Sequence, residues 1–260
     1  MKTVLLSFDI EEFDMPLEYG ASISLSEQIQ ISTEGTRTVL DILKEHEIKA
    51  TFFSTVVFAV NTTDMLIRIK SEGHEIASHG FYHSSFKNED LLESKTKLEE
   101  LNGGIVTGFR MPRMMAVSNE EIQKAGYLYN SSMNPTYLPG KYNNLLKPRS
   151  KFTESSVIQI PASVTPLIRF PLFWLSFHHL PPWLYKLACQ LTIYNDHYLN
   201  IYFHPWEFTD LTKDKYRLPQ LISKNSGMKM IRRFNEWIIW MKKQGYTFST
   251  ITNFLDHESP

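Results

Sequence analysis

Leu5–Phe13 reads LLSFDIEEF. Val4, Leu5 and Leu6 begin a buried strand, and acidic side chains then follow where a core strand should have none. Strand side chains alternate faces, so Asp9 and Glu11 point the same way. Two carboxylates side by side repel, and an apolar strand end offers them little water. A cation or an arginine would resolve that cost. The plainer reading ends the strand at Phe8 and leaves the acids in a wet turn.

Around this stretch the chain has the make-up of a folded domain. Its 260 residues are 42% hydrophobic and 21% charged, which suits one large α/β unit, and we read 1–260 as a single domain. A net charge of -1 gives no electrostatic footprint for nucleic acid. The single cysteine, Cys189, excludes an internal disulfide framework and a cysteine-based zinc site. Residues 1–13 lack the pattern of a signal peptide, and no uncharged run is long enough to cross a bilayer. The expected location is therefore the cytoplasm.

Strand-like and helix-like segments alternate. Lys2–Asp9, Ala50–Thr55, Glu75–Ser78, Val106–Arg110, Tyr127–Ser131, Val157–Pro161, Leu199–Phe203 and Tyr246–Thr252 read as strands. Residues 12–32, with Pro16, Gly20 and several serines, read as a long polar loop that would help set substrate choice. Thr33 is the expected cap of a helix to about Glu47, and Thr62 or Thr63 of the next. Glu89–Leu101 is a charged amphipathic helix, Ser118 and Glu121 form a capping box, and Gly227–Lys243 carries the best apolar stripe. Leu167–Leu191 breaks the pattern. It is rich in aromatics and leucine and interrupted by prolines, so it reads as core or lid helices or, more sharply, as an apolar surface for peripheral membrane contact. The alternation implies parallel strands joined by helices, and acids and histidines at strand ends favour a barrel over an open sheet.

Those strand ends carry the chemistry. Ser78–His83 reads SHGFYH, which spaces His79 and His83 four apart, as on a helical turn gripping one metal ion, with Gly80 permitting a tight bend. Glu11 or Asp9 is the obvious third ligand, and two histidines with a carboxylate and open positions make a catalytic site. Arg110, within GFRMP and at the end of a strand, is placed to hold a buried carboxylate ionised. His204, within YFHPWEF and at the end of a strand, is a candidate general acid because histidine titrates near neutral pH, while Trp206 could stack on a sugar or fill the core. His74 reads as a packed histidine, and His178, His179, Asp196 and His197 as structural.

In this order FDIEEF, SHGFYH, GFRMP and YFHPWEF resemble the motifs of the polysaccharide deacetylase family, the NodB-homology carbohydrate esterases, in the branch linked to exopolysaccharide synthesis. The resemblance implies a distorted (β/α) barrel of about seven parallel strands and a divalent metal, commonly zinc, with cobalt, manganese, nickel or iron as alternatives. It implies Glu11, His79 and His83 as metal ligands and Asp9 as general base. It further implies that Arg110 orients Asp9, that the backbone N–H of Arg113 holds the oxyanion, and that His204 is the general acid. Tyr82 and Pro112 join Trp206 as candidates for substrate contact. The implied reaction removes an N-acetyl group from an amino sugar in a polysaccharide or a lipid-linked glycan precursor. Other amides, among them formyl amides and cyclic ureides such as allantoin, are the alternative substrates, and a decayed glycan-binding relative is the non-enzymatic one. Glu11 stands where many members have aspartate, and Asn130 where that branch usually has one. A neutral Asn130 would leave His204 less basic.

Overall fold

The computed structural model describes residues 2–258. Its strands are β1 Thr3–Ile10, β2 Thr51–Ser54, β3 Glu75–Ser78, β4 Gly108–Phe109, β5 Tyr129–Asn130, β6 Tyr137–Leu138, β7 Tyr142–Asn143, β8 Phe152–Glu154, β9 Val157–Gln159, β10 Tyr198–Phe203 and β11 Thr247–Ser249. The helices are α1 Met15–Glu18, α2 Leu25–Glu45, α3 Val56–Asn61, α4 Thr63–Ser71, α5 Glu89–Asn102, α6 Asn119–Lys124, α7 Trp174–His179, α8 Pro182–Asp196, α9 Gln220–Ser223, α10 Met228–Lys243 and α11 Ile251–Glu258.

Seven neighbouring strands are parallel, in the order β10-β1-β2-β3-β4-β5-β9. β8 adds an antiparallel hairpin arm to β9, and β11 pairs with the start of β1. The distorted barrel of about seven parallel strands is therefore what forms. Its seam is irregular. Ser163 donates its N–H to the Asn200 carbonyl at 2.8 Å, and its hydroxyl accepts the Asn200 N–H at 2.8 Å. Asn200 Nδ2 also donates to the carbonyls of Ile160 and Pro161, both at 3.1 Å. Side chains thus join β10 to the exit of β9 where a strand ladder would otherwise run.

The period-two pattern of β1 sorts its residues. Val4, Leu6, Phe8 and Ile10 face outward into the large core between sheet and helices. Leu5 joins a smaller cluster with Phe53, Ala77, Tyr129, Ile251, Phe254 and Leu255, in which α11 plugs one end of the barrel. Asp9 shares the face of Leu5, four residues on, and so points into the interior toward the opposite end. The strand runs to Ile10 and does not stop at Phe8.

Several element boundaries differ from the sequence expectation. Residues 12–32 are not a long loop: α1 lies within them and α2 begins at Leu25. Ser24 caps α2, its hydroxyl accepting the Glu27 N–H, and Thr33 lies inside the helix and donates to the Ile29 carbonyl. Thr55 caps an additional helix, α3, and Thr62 precedes α4 without a side-chain cap bond. β4 and β5 are each two residues long, and the segment after β11 turns into α11. Leu167–Leu191 yields α7 and most of α8, around an exposed hairpin tip.

Gly35 sets how closely α2 approaches the barrel's rim. A Cβ there would lie 1.9 Å from the Pro205 carbonyl oxygen. Only glycine lets the helix seat against the 205–208 turn. Gly35→Ala is expected to cost about 1–3 kcal/mol by overpacking, read as a lowered urea midpoint; a stability within about 0.5 kcal/mol of wild type would contradict this packing.

Candidate metal and acid-base site

The carboxyl ends of β1, β3, β4 and β10 deliver the site. Glu11, just past β1, is 3% exposed. Its Oε2 lies 3.1 Å from His79 Nε2 and 3.2 Å from His83 Nε2, and its Oε1 accepts the Trp206 indole N–H at 3.2 Å. Ligand atoms of Glu11, His79 and His83 all fall within 4.8 Å of one another. The two imidazoles are 5.9 Å apart and nearly parallel. They meet across a loop and not, as expected, on a helical turn. Gly80, at φ 81°, turns the chain after His79, and the first N–H groups of α3 hold the loop through the Gly80 and Phe81 carbonyls.

The hydrogen bonds behind these imidazoles decide what fits between them. His79 Nδ1 is 2.9 Å from the Arg110 carbonyl, which only accepts, so Nδ1 carries the proton. His83 Nδ1 is 2.7 Å from Asp14 Oδ1 and donates likewise. Both Nε2 atoms are then lone pairs aimed at a carboxylate unless a proton or a cation intervenes. Burial pulls the His83 pKa down, but Glu11 and Asp14 outweigh it and raise the group to about 9. Burial pushes Glu11 up, and His83, His79 and His204 outweigh it, holding the carboxyl at about 2. A single divalent cation between the three would satisfy both lone pairs and the carboxylate, and the Glu-His-His donor set fits one.

Asp9, also 3% exposed, is gripped by Arg110 through an Nη1–Oδ1 contact of 2.6 Å. Arg110 is fully buried, stacks 4.0 Å over the Phe53 ring, and donates to the Ser131 carbonyl and hydroxyl. Across from Asp9, His204 Nε2 stands 4.0 Å from Asp9 Oδ2. His204 Nδ1 donates to Glu207 Oε1 at 3.0 Å, and the other Glu207 oxygen accepts from His178 Nε2 at 2.7 Å. Burial lowers the His204 pKa, but the Glu207 hydrogen bond and the charges of Glu11, Glu207 and Asp9 raise it overall.

Three expectations need correction here. Asn130 does not serve His204. It pairs with Gln159 and braces Ser132, whose hydroxyl accepts the Met111 N–H, and the His204 ring is held by Glu207 instead. Trp206 is 1% exposed, stacked on His204 at 4.6 Å, so its face is closed to a sugar. His178 is not merely structural, because it shares Glu207 with His204. His74 is packed as expected: its Nδ1 accepts the Ala50 N–H, and burial first of all drives its pKa down to about 4.

Asp14 and Glu207 escaped the sequence reading. Glu12 is buried, accepting the Thr55 hydroxyl at 2.6 Å and the His83 N–H at 3.1 Å. Asp14 holds His83 and also pairs with Arg113, whose second partner is Glu18. The available signal was the acid run itself, four carboxylates between Asp9 and Asp14, each needing a partner, and the three-residue spacing of His204 and Glu207 on one turn. Arg113 adopts φ 57° in the turn Pro112–Met114, Pro112 is buried beside Gly80, and Tyr82 is 45% exposed at the edge of the metal loop.

A sequence model described as polysaccharide deacetylase matches residues 1–129, the part that holds Asp9, Glu11, His79, His83 and Arg110. Over this stretch the chain matches the polysaccharide deacetylase family. Among curated relatives it is 33% identical over 67 residues to a Bacillus subtilis peptidoglycan-N-acetylmuramic acid deacetylase, covering 26% of each chain. It is 25% identical over 154 residues to a Helicobacter pylori peptidoglycan deacetylase, covering 50% of this chain and 53% of that one. These matches thus span about half the length of such relatives or less. In fold it resembles a Mycobacterium smegmatis protein assigned to the same family (TM-score 0.65, 17% identity, 98% of this chain and 89% of that one). It also resembles the allantoinase PuuE (TM-score 0.66, 16% identity, 98% and 89%).

The buried Asp14 is expected to support metal binding from behind His83. Asp14→Asn should weaken affinity for zinc by about 10–100-fold in a competition titration, while His83→Ala should lose the ion altogether. Unchanged affinity in Asp14→Asn would contradict the assignment.

Proposed function

We infer that the protein is a metal-dependent N-deacetylase acting on an amino sugar in a glycan or a lipid-linked glycan precursor. One observation carries the reading. Asp9, locked by Arg110, and His204, locked by Glu207, face each other beside the Glu11-His79-His83 cluster. The relatives' names supply the amide and the sugar: peptidoglycan and chitooligosaccharide deacetylases.

We propose zinc at the cluster, since two imidazoles and a carboxylate with open positions suit it. The bound ion would polarise the amide carbonyl and make water a better nucleophile. Asp9, held in place by Arg110, takes the attacking water's proton. The backbone N–H of Arg113 faces the oxyanion. His204 delivers its Nε2 proton to the departing amine, which an amide needs before it can leave, and Glu207 keeps that imidazole charged and aimed. Tyr82, exposed beside the metal loop, is placed to meet the sugar. Acetate and a free amino sugar result.

The test is acetate release from N-acetylglucosamine oligomers and from lipid-linked acetamido sugars by zinc-loaded protein. Turnover of allantoin or an N-formyl sugar in place of these would reassign the substrate; no turnover of any amide would contradict the enzyme. Asp9→Asn is expected to retain zinc and lower kcat by about 10²–10⁴-fold.

The Glu207–His204 pair makes a pH prediction. His204 must carry its proton to act as an acid, so activity falls as pH rises through its pKa. That pKa is raised in part by Glu207. Glu207→Gln should therefore move the alkaline limb of the kcat profile to lower pH; an unmoved limb would mean that another group is the acid.

A further inference from the structure

Two loops on the outside of the barrel expose apolar side chains that the active site does not use. The hairpin Ser163–Leu172 presents Leu167 and Ile168 at its tip, 98% and 79% exposed. Leu146, fully exposed, sits on a neighbouring loop. This is not a frayed edge. Arg169 ties the two loops together by donating to the Lys147 and Pro135 carbonyls, and Thr136 donates to the Arg169 carbonyl. Leu167 and Arg169 both hold left-handed backbone, at φ 64° and 53°. That conformation costs a non-glycine residue about 1–2 kcal/mol, and here it aims two large apolar side chains at solvent.

Behind the tip, an apolar groove of about 580 Å³ runs along α8, walled by Leu187, Leu191 and Tyr194. Charge indicates what covers this surface. Residues 132–196 hold six Lys and Arg against two Asp and Glu, a net of +4 in a chain of net -1, which leaves -5 on the remainder. Lys147 and Arg169 directly follow the apolar pairs Leu145-Leu146 and Leu167-Ile168. Lys2 reaches over the Tyr194 ring. Apolar tips flanked by basic residues match the boundary between the acyl chains and the headgroups of an anionic bilayer. Among the described residues no helix is long and apolar enough to cross a membrane, so any contact through this face is peripheral.

We propose that the face formed by Leu146, Leu167, Ile168 and the exposed side of α8 docks the protein onto an anionic lipid surface. The leucine and isoleucine tips enter the interface, and Lys147 and Lys141 meet headgroup phosphates.

The experiment is flotation of the full chain with vesicles of phosphatidylglycerol and phosphatidylcholine, beside pure phosphatidylcholine vesicles. Binding to the anionic vesicles is expected, weakened by about 0.5 M salt through screening. The double variant Leu167→Ser/Ile168→Ser and, separately, Lys141→Glu/Lys147→Glu should each cut partitioning about tenfold or more. All four positions are exposed, so the variants should keep the wild-type melting temperature and zinc content, which separates lost docking from lost folding. No flotation of wild type overturns the proposal, as does equal binding to both kinds of vesicle. Self-association that the serine variant abolishes, with no flotation, would assign the face to a second copy of the chain and overturn it too.

Discussion

The structure depends on two carboxylates buried at the end of one strand. Asp9 and Glu11 are each 3% exposed, and an uncompensated charge in such a place costs several kcal/mol. Each has been given its own answer. Arg110, itself fully buried, neutralises Asp9, and two imidazoles converge on Glu11. Parallel order makes this possible, because it brings the carboxyl ends of β1, β3, β4 and β10 to the same rim. The supports extend outward by the same logic: Ser131 under Arg110, Asp14 behind His83, and Glu12 between Thr55 and the His83 backbone. Removing one member of such an ion pair leaves the other charge stranded, typically at about 3–5 kcal/mol, so site and fold are hard to alter separately.

Two histidine-carboxylate systems sit a few ångströms apart and are set differently. Around Glu11 the histidines present Nε2 inward, as ligands do, with their Nδ1 protons tied to Arg110 and Asp14. Around Glu207 the carboxylate lies outside, holding His204 by Nδ1 and leaving Nε2 facing Asp9. This difference in setting is what the proposed division into base and acid rests on. The chain from Ile160 to Trp174 links this centre to the periphery. It closes the barrel through Ser163 and Asn200, bears the exposed Leu167-Ile168 tip, and returns to set the Trp174 ring edge-on to His204 at 5.4 Å.

Much of this was legible in the sequence, for identifiable reasons. An acidic pair on an apolar strand, two histidines after another strand and an arginine ending a third are local patterns, and each fell where the parallel sheet needed it. The parallel sheet followed from the alternation of short apolar runs with helical stripes, and its closure as a barrel of about seven strands from the family resemblance. Where the reading failed, the deciding contacts were long-range. The start of α2 was hidden because Pro16, Gly20 and the serines before Leu25 look like loop, while Ser32, Thr33, Gly35 and Thr36 are weak helix formers whose burial against the 205–208 turn overrides propensity. Asn130 looked like the partner of His204 by motif, but Glu207 is nearer in both chain and space. Trp206 looked like a sugar platform, but Phe13, Trp174 and His204 already enclose it.

The central claim is that Glu11, His79 and His83 hold one divalent cation between them. Anomalous diffraction at the zinc edge, from crystals of zinc-loaded protein, addresses it directly. The account predicts a single strong peak about 2.0–2.2 Å from Glu11 Oε2, His79 Nε2 and His83 Nε2. A peak only elsewhere, or none despite soaking, would contradict it.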